Sequence, residues 1–444
     1  MDAPPPVLSS CSGKGRARRD VRRDVTERDD TVPRTPAGRH TGTGVLSPLR
    51  HPAFRALALG RSLMYLGNGM ASVALAFAVL DTTGSLVNVG LVVGARSVAN
   101  VCLLLLGGVI ADRLPRSLVL RGGCALAAAS QGVLALTLLT GAASLPLMIG
   151  LSLINGAAAA ANLPAAAALT PQTVPAGLLR PANAMLRVGT HTGMFAGAAL
   201  GGAVVGLMGA GWAIAADAVL FTLAGVAFLF LRLPGGALHA AGEGSNVLRD
   251  LRDGWSEFIA RPWVWIIVLQ FMVVNAGWSA TTSVLGPAIA DATFGRTLWG
   301  VLMAVNSAGL LLGGVLAARW QPRRALLYGT ALILVQTVPL FALAGPTPLP
   351  LLFAAMFVAG VAVEQFSVAW EVSVQENVPQ QKLSRVYSYD ALGSFVAMPV
   401  GQIAIGPLAE RIGAEPSIAL MAGLTVAATL AAIASGSVRN LRRR

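Results

Sequence analysis

Charge is scarce in this chain: Asp, Glu, Lys and Arg make up 12% of its 444 residues, about half the roughly 25% of a soluble domain. That shortage excludes an ordinary water-soluble enzyme and a disordered protein. Cysteine is scarce too. Cys11, Cys102 and Cys124 form no CxxC pair, so neither a disulfide framework nor a cysteine metal site fits. There is no zinc spacing and no basic patch interleaved with aromatics, so the net charge of +13 does not read as nucleic-acid binding. No Walker loop, no nucleophile with a partnering base and no cluster of metal ligands is visible. The reading is therefore not an enzyme, with no cofactor and no metal.

Apolar length is what the chain has in abundance. It is 55% hydrophobic, with a mean hydropathy of +0.67, in runs too long and continuous for the alternating segments of a β-barrel. A bilayer-crossing helix needs about 20 apolar residues. Twelve such stretches can be drawn, at about 54–80, 86–110, 118–140, 145–169, 184–208, 212–233, 263–290, 297–318, 325–345, 349–373, 385–409 and 416–436. The expected fold is an all-α polytopic membrane protein.

The polar stretches divide the chain further. Residues 1–50 are rich in Arg, Asp, Thr and Pro and lack the apolar region of a signal peptide, so they read as a disordered basic tail. Val45, just before Leu46-Ser47-Pro48, is a candidate alternative start. Residues 234–262 are a polar linker with an amphipathic stretch from Val247 to Ile259, between bundles at 51–233 and 263–437; a basic tail, 438–444, closes the chain. Arg113, Arg116, Arg121, Arg180, Arg249, Arg252, Arg261, Arg319, Arg323, Arg324, Lys382 and Arg385 all fall in alternate connections on the side of the N-terminus. The positive-inside rule then places both termini in the cytoplasm.

The halves repeat. His51-Pro52 matches Arg261-Pro262, Asp81 matches Asp291 and Gly90 matches Gly300, each displaced by 210 residues. Gly107-Gly108-Val109 matches Gly313-Gly314-Val315, and Val174-Pro175 matches Val378-Pro379. Two similar six-helix bundles joined by a linker are the plan of a rocking secondary transporter.

Gly108-Val109-Ile110-Ala111-Asp112-Arg113-Leu114-Pro115-Arg116 packs an acid and two arginines into one tight turn. Asp112, Arg113 and Arg116 there can latch one conformation. The stretch resembles motif A of the major facilitator superfamily, and the likeness extends over nearly all of residues 45–440, with Pro115 where Gly is usual. Leu80-Asp81-Thr82-Thr83-Gly84-Ser85, Asn183-Ala184-Met185-Leu186, Trp370-Glu371 and the stretch from Ser384 to Ser394 resemble the drug:proton antiporter type 3 branch, which is associated with exporters of macrolides, siderophores and other natural products. The resemblance implies the major facilitator fold of two pseudo-symmetric bundles. It also implies export of a small organic molecule across the plasma membrane in exchange for protons, by a chain acting as a monomer in the lipid bilayer. An importer or uniporter of the same fold, or a non-transporting membrane sensor, is the alternative.

Gly189, Gly193, Gly197 and Gly201 recur every four residues, followed by Gly202, a flat stripe on which another helix can pack or slide. It resembles the antiporter motif C, with Ala198 in place of its proline. Polar groups at membrane depth are costly and so informative. Arg61, Tyr65, Asn68 and Ser72 share one face of the first span, Ser152, Asn155 and Asn162 one face of the fourth, Gln270 and Trp278 one face of the seventh, and Glu364 and Glu371 lie seven apart in the tenth. The resemblance places those four helices around a central cavity, where Arg96 is a further candidate. Glu364 is either a proton carrier or an acid permanently paired to a base such as Arg96 or Arg61; Asp217 is a second candidate for proton coupling. Glu371, Arg385 and Asp390 read as a gating ion-pair cluster, and His191, one turn after Arg187, as a packing residue or a proton relay.

Overall fold

The computed structural model describes residues 46–113, 115–231, 255–256, 258–319, 322–379 and 382–441. The side chains of residues 104–113, Arg116 and Arg385 are among those outside the description. The N-terminal tail with Val45 and most of the linker also lie outside it.

Among the described residues, twelve helices are long and apolar enough to cross a membrane. They are α1 (Pro52–Thr83), α2 (Leu86–Arg113), α3 (Arg116–Leu139), α4 (Leu145–Thr173), α5 (Leu179–Met208), α6 (Ala210–Leu229), α7 (Pro262–Ala292), α8 (Arg296–Arg319), α9 (Ala325–Leu343), α10 (Leu349–Asn377), α11 (Leu383–Ile412) and α12 (Ala414–Ala434). Each matches one expected span, with ends shifted by a few residues. The bundle begins slightly earlier than expected, because a 3-10 turn over Ser47–Arg50 buries Ser47 and Pro48. At the end of the linker, Trp255 and Phe258 stack on each other and sit tilted against Tyr389 of α11, at ring-centroid distances of 5.5 to 5.7 Å.

Local chemistry accounts for the details. α7 was expected as one unbroken span but carries a π turn over Thr281–Leu285. Pro287, just beyond, has no N–H to return to the preceding turn, so the ladder widens there. The α5–α6 and α11–α12 corners turn at Gly209 (φ +95°) and Gly413 (φ +94°), a left-handed backbone that glycine adopts without strain. Equivalent corners at equivalent residues are the repeat expressed in backbone.

Packing follows the same repeat. In the first half α1 packs on α5 and α6, α2 on α4, and α3 on α4 and α6. In the second half α7 packs on α11 and α12, α8 on α10, and α9 on α10 and α12. The halves meet through α5 against α8 and α2 against α11, a reciprocal exchange of the same two positions. An even number of crossings puts both described ends of the chain on one face, called below the terminal face.

Candidate functional site

A cavity of about 500 Å³ lies between the halves at mid-depth, within the range of small-molecule sites. α1 contributes Tyr65, Asn68 and Ser72; α2 contributes Arg96, Ser97 and Asn100; α4 contributes Asn155 and Asn162. Met194 of α5, Phe221 of α6, Ser283 of α7 and Phe395, Met398 and Gln402 of α11 complete much of the wall. Arg96 Nη2 donates to Asn68 Oδ1 at 2.7 Å, while Asn68 Nδ2 donates to the Met64 carbonyl at 3.0 Å. Arg96 is the one charged side chain on the described wall.

Five of the candidates proposed for the cavity lie on its wall: Tyr65, Asn68, Arg96, Asn155 and Asn162. Three do not. Arg61, one turn before Tyr65, places its guanidinium 5.9 Å from that ring instead. Gln270 is 2% exposed and donates to Thr429 of α12 at 3.1 Å, so it ties the second bundle internally. Trp278 packs on the apolar core. Gln270 and Trp278 therefore meet different neighbours, and neither reaches the cavity. α10 supplies no wall residue either. Asn100 and Gln402 were missed, although they are polar groups at membrane depth. They lie on the second and eleventh helices, which are not among the four that the resemblance places around the cavity.

The acids separate into different settings. Asp217 of α6 is fully buried (0% exposed). It accepts a hydrogen bond from Gln131 Nε2 of α3; its Oδ1 lies against Gly67 of α1 and has no partner. Glu364 of α10 packs over Gly313 and Gly314 of α8 and has no hydrogen-bond or ion-pair partner among the described residues. Its charge faces His191 and Arg187 of α5 and Glu371 on its own helix, so the expected alternatives of pairing with Arg96 or Arg61 do not occur here.

The proposed Glu371–Arg385–Asp390 cluster is divided. Glu371 reaches across to Arg187 at 3.1 Å, with side chains 45% and 60% exposed. Asp390 accepts from Trp370 Nε1 at 2.9 Å and from Ser394 Oγ, inside the second bundle. Trp370 and Glu371 are one helical step apart, and that 100° turn sends one to α11 and the other to α5. The Arg385 side chain lies outside the described residues, as do the side chains of Asp112, Arg113 and Arg116; Gly108 lies within α2.

The glycine stripe is also divided. Gly193, Gly197 and Gly201 lie against the α1 backbone at Ser62, Leu66 and Met70, a contact inside one bundle, so this face cannot slide between the halves. The next face carries Gly202, which meets Gly300 of α8 backbone to backbone. Gly90 and Gly94 of α2 lie against Gln402 and Ile403 of α11, and Gly406 lies against Val87. All these contacts between halves sit near the face opposite the termini. There Arg296 of α8 binds Asp291 of its own half (Nε–Oδ1, 2.6 Å) and Asp81 of the other (Nη1–Oδ2, 2.7 Å), with its guanidinium 5.0 Å from the Phe77 ring. The molecule is clasped at this face.

A mid-depth cavity between two bundles of matching connectivity is an arrangement found in secondary transporters. The sequence pattern of the Major Facilitator Superfamily matches residues 57–401. This chain belongs to that superfamily. Superfamily relatives include the multidrug efflux pump Tap of Mycolicibacterium fortuitum, 27% identical over 82% of this chain and 90% of Tap. The uncharacterized MFS-type transporter YvqJ of Bacillus subtilis is 27% identical, and the match covers 61% of this chain but 65% of YvqJ, just under two thirds of its length. The enterobactin exporter EntS of Shigella dysenteriae is 30% identical over 54% of this chain and 57% of EntS. Among solved structures, the nucleoside transporter NupG superposes with a TM-score of 0.71 at 18% identity, over 86% of this chain and 98% of NupG. An inward-facing bacterial homologue of the lysosomal transporter Spinster superposes with a TM-score of 0.71 at 17% identity, over 88% and 97%. At these identities the two structures speak for the fold alone. The chain is a multi-pass membrane protein of a transporter superfamily.

Proposed function

We propose that the protein exports a small amphipathic organic molecule across the plasma membrane in exchange for protons, working as a monomer. The observation that carries the reading is the cavity between the two bundles, clasped by Arg296, Asp81 and Asp291 at one face. With both termini in the cytoplasm, as the arginine placement favours, that clasped face is the outer one and this conformation accepts cargo from inside. The direction of transport rests on the motifs and on relatives named as an efflux pump and an exporter.

In the proposed cycle, cargo fills the cavity, the clasp and the Gly202–Gly300 contact part, and the inner ends of the bundles close. The Glu371–Arg187 pair, already made here, stays closed at those inner ends, with Asp112, Arg113 and Arg116 of the motif A turn holding the outward-facing state. Glu364 carries the proton. It is held without a permanent partner, near the gap that opens and closes, and a carboxylate moving between apolar and polar settings changes its proton affinity. Asp217, fully buried, is the second candidate.

The test is transport in everted membrane vesicles given a panel of fluorescent drugs in the outside medium. An imposed pH gradient should drive their uptake into the vesicles, with protons leaving as drug enters. Drug and protons moving in the same direction would point to an importer of the same fold. No flux for any compound, with ligand binding retained, would point to a sensor.

A further inference from the structure

The cavity wall has a sign. Its described lining holds one cation, Arg96, and no Asp or Glu. One acid, Asp217, is wholly buried and lies within electrostatic reach of Arg96, with its described contacts to Gln131 and Gly67 rather than to the cavity. Asp217 is absent from the described lining, so of these two charges only Arg96 faces the cavity. One guanidinium nitrogen of Arg96 is engaged by Asn68 Oδ1, and a guanidinium has donors to spare. Beside it, where Gly156 lets α4 close on the Arg96 carbonyl, Asn155 is 2% exposed and its Nδ2 donor has no partner in the protein. A buried donor left unpaired is costly, and a ligand acceptor would relieve it.

Between further neutral polar groups such as Asn100, Asn162 and Gln402, the wall carries soft apolar side chains: Met64 and Met194, with Phe221 and Phe395 among the aromatics. Thioethers and aromatic rings adapt to ligands of varied outline. A cation entering this cavity would meet Arg96 with no acid to offset it. An acidic group on an apolar body would meet a guanidinium and a free amide donor.

Building on the transporter reading above, we propose that the cargo is an amphipathic organic anion, its acidic group held by Arg96 and Asn155 and its body by the methionines and phenylalanines. This separates the protein from carriers whose cavities present carboxylates to cationic drugs.

Two xanthene dyes of similar size and opposite charge test it: fluorescein, an anion, and rhodamine 123, a cation. The full chain is reconstituted in phosphatidylcholine nanodiscs at pH 8, and binding is read by fluorescence anisotropy after subtracting empty nanodiscs. Fluorescein should bind at least about ten-fold more tightly, the scale of one partly screened charge contact. Arg96→Gln should bring the two affinities together, and Arg96→Lys should retain the preference. Rhodamine 123 binding as tightly as fluorescein, no fluorescein binding, or a preference that survives Arg96→Gln would each overturn the proposal. Should Arg96→Gln not fold, the dye pair on the native chain decides alone. Because binding is measured without flux, a vesicle assay showing transport of cations would sink this inference and leave the transporter reading intact. Fluorescein binding without any flux would do the reverse.

Discussion

Arg296 and Asp81 join the two bundles by a two-point contact, the Nη1 and Nη2 of one meeting both carboxylate oxygens of the other. Each residue ends or begins a helix at the face opposite the termini, and Asp291, the repeat partner of Asp81, binds the same guanidinium. One arginine thus couples the equivalent helix ends of both halves.

Breaking that contact should release the clasped face. The side chains are 24% and 41% exposed, so water screens the pair and its worth is about 1 kcal/mol, or about a five-fold change in population. Asp81→Asn should raise, by about that factor, the rate at which an impermeant maleimide added from outside labels Ser283→Cys in a background lacking the native cysteines. An unchanged rate would show that the clasp does not govern opening.

Gly202 and Gly300 make a sharper version of the same test. A side chain at either would collide with the backbone of the other, and overpacking of this kind costs about 1–3 kcal/mol. Gly300→Leu should hold the protein open at that face and reduce transport more than Asp81→Asn does. Native transport rates in Gly300→Leu would mean that the α5–α8 contact is not remade in each cycle.

Glu364→Gln removes the proposed proton site while keeping the size of the side chain. Drug movement in vesicles should then no longer respond to an imposed pH gradient, although equilibrium exchange of drug persists. Full gradient-driven transport in this variant would clear Glu364 and turn attention to Asp217.

Asp112→Asn should leave folding intact and cut transport, since the acid adds nothing to membrane topology, whereas Arg113 and Arg116 serve topology as well. Unchanged efflux from loaded cells would remove the latch role assigned to the motif A turn.

Gln131 and Asp217 form a buried pair whose members depend on each other. Gln131→Leu strands the carboxylate and should cost about 2 kcal/mol, while replacing both with leucine should cost less than the single change. The measurement is thermal unfolding followed by a thiol-reactive dye at Cys124, which is buried in the same helix as Gln131, with Cys11 and Cys102 replaced by Ser. Additive losses would show that the two side chains are not coupled.

The fold was legible in the chain because a bilayer imposes a coarse, local rule. About 20 apolar residues make a crossing, and the repeat of Asp81 in Asp291 and of Gly90 in Gly300 pairs the halves before any contact is known. Even the corner at Gly209 recurs at Gly413. Asn68, Arg96 and Asn155 could be picked out on the same grounds, since a polar side chain at membrane depth needs a reason to be there.

Tertiary structure decided which way each polar face turns. Gln270 and Asn155 look alike in sequence, yet one bonds Thr429 inside its bundle and the other lines the cavity. Gly201 and Gly202 are neighbours, yet one packs α1 and the other meets the opposite half. Trp370 and Glu371 part in the same way. Periodicity groups residues on a face but does not say what that face meets, because helix rotation is set by packing between segments far apart in the chain.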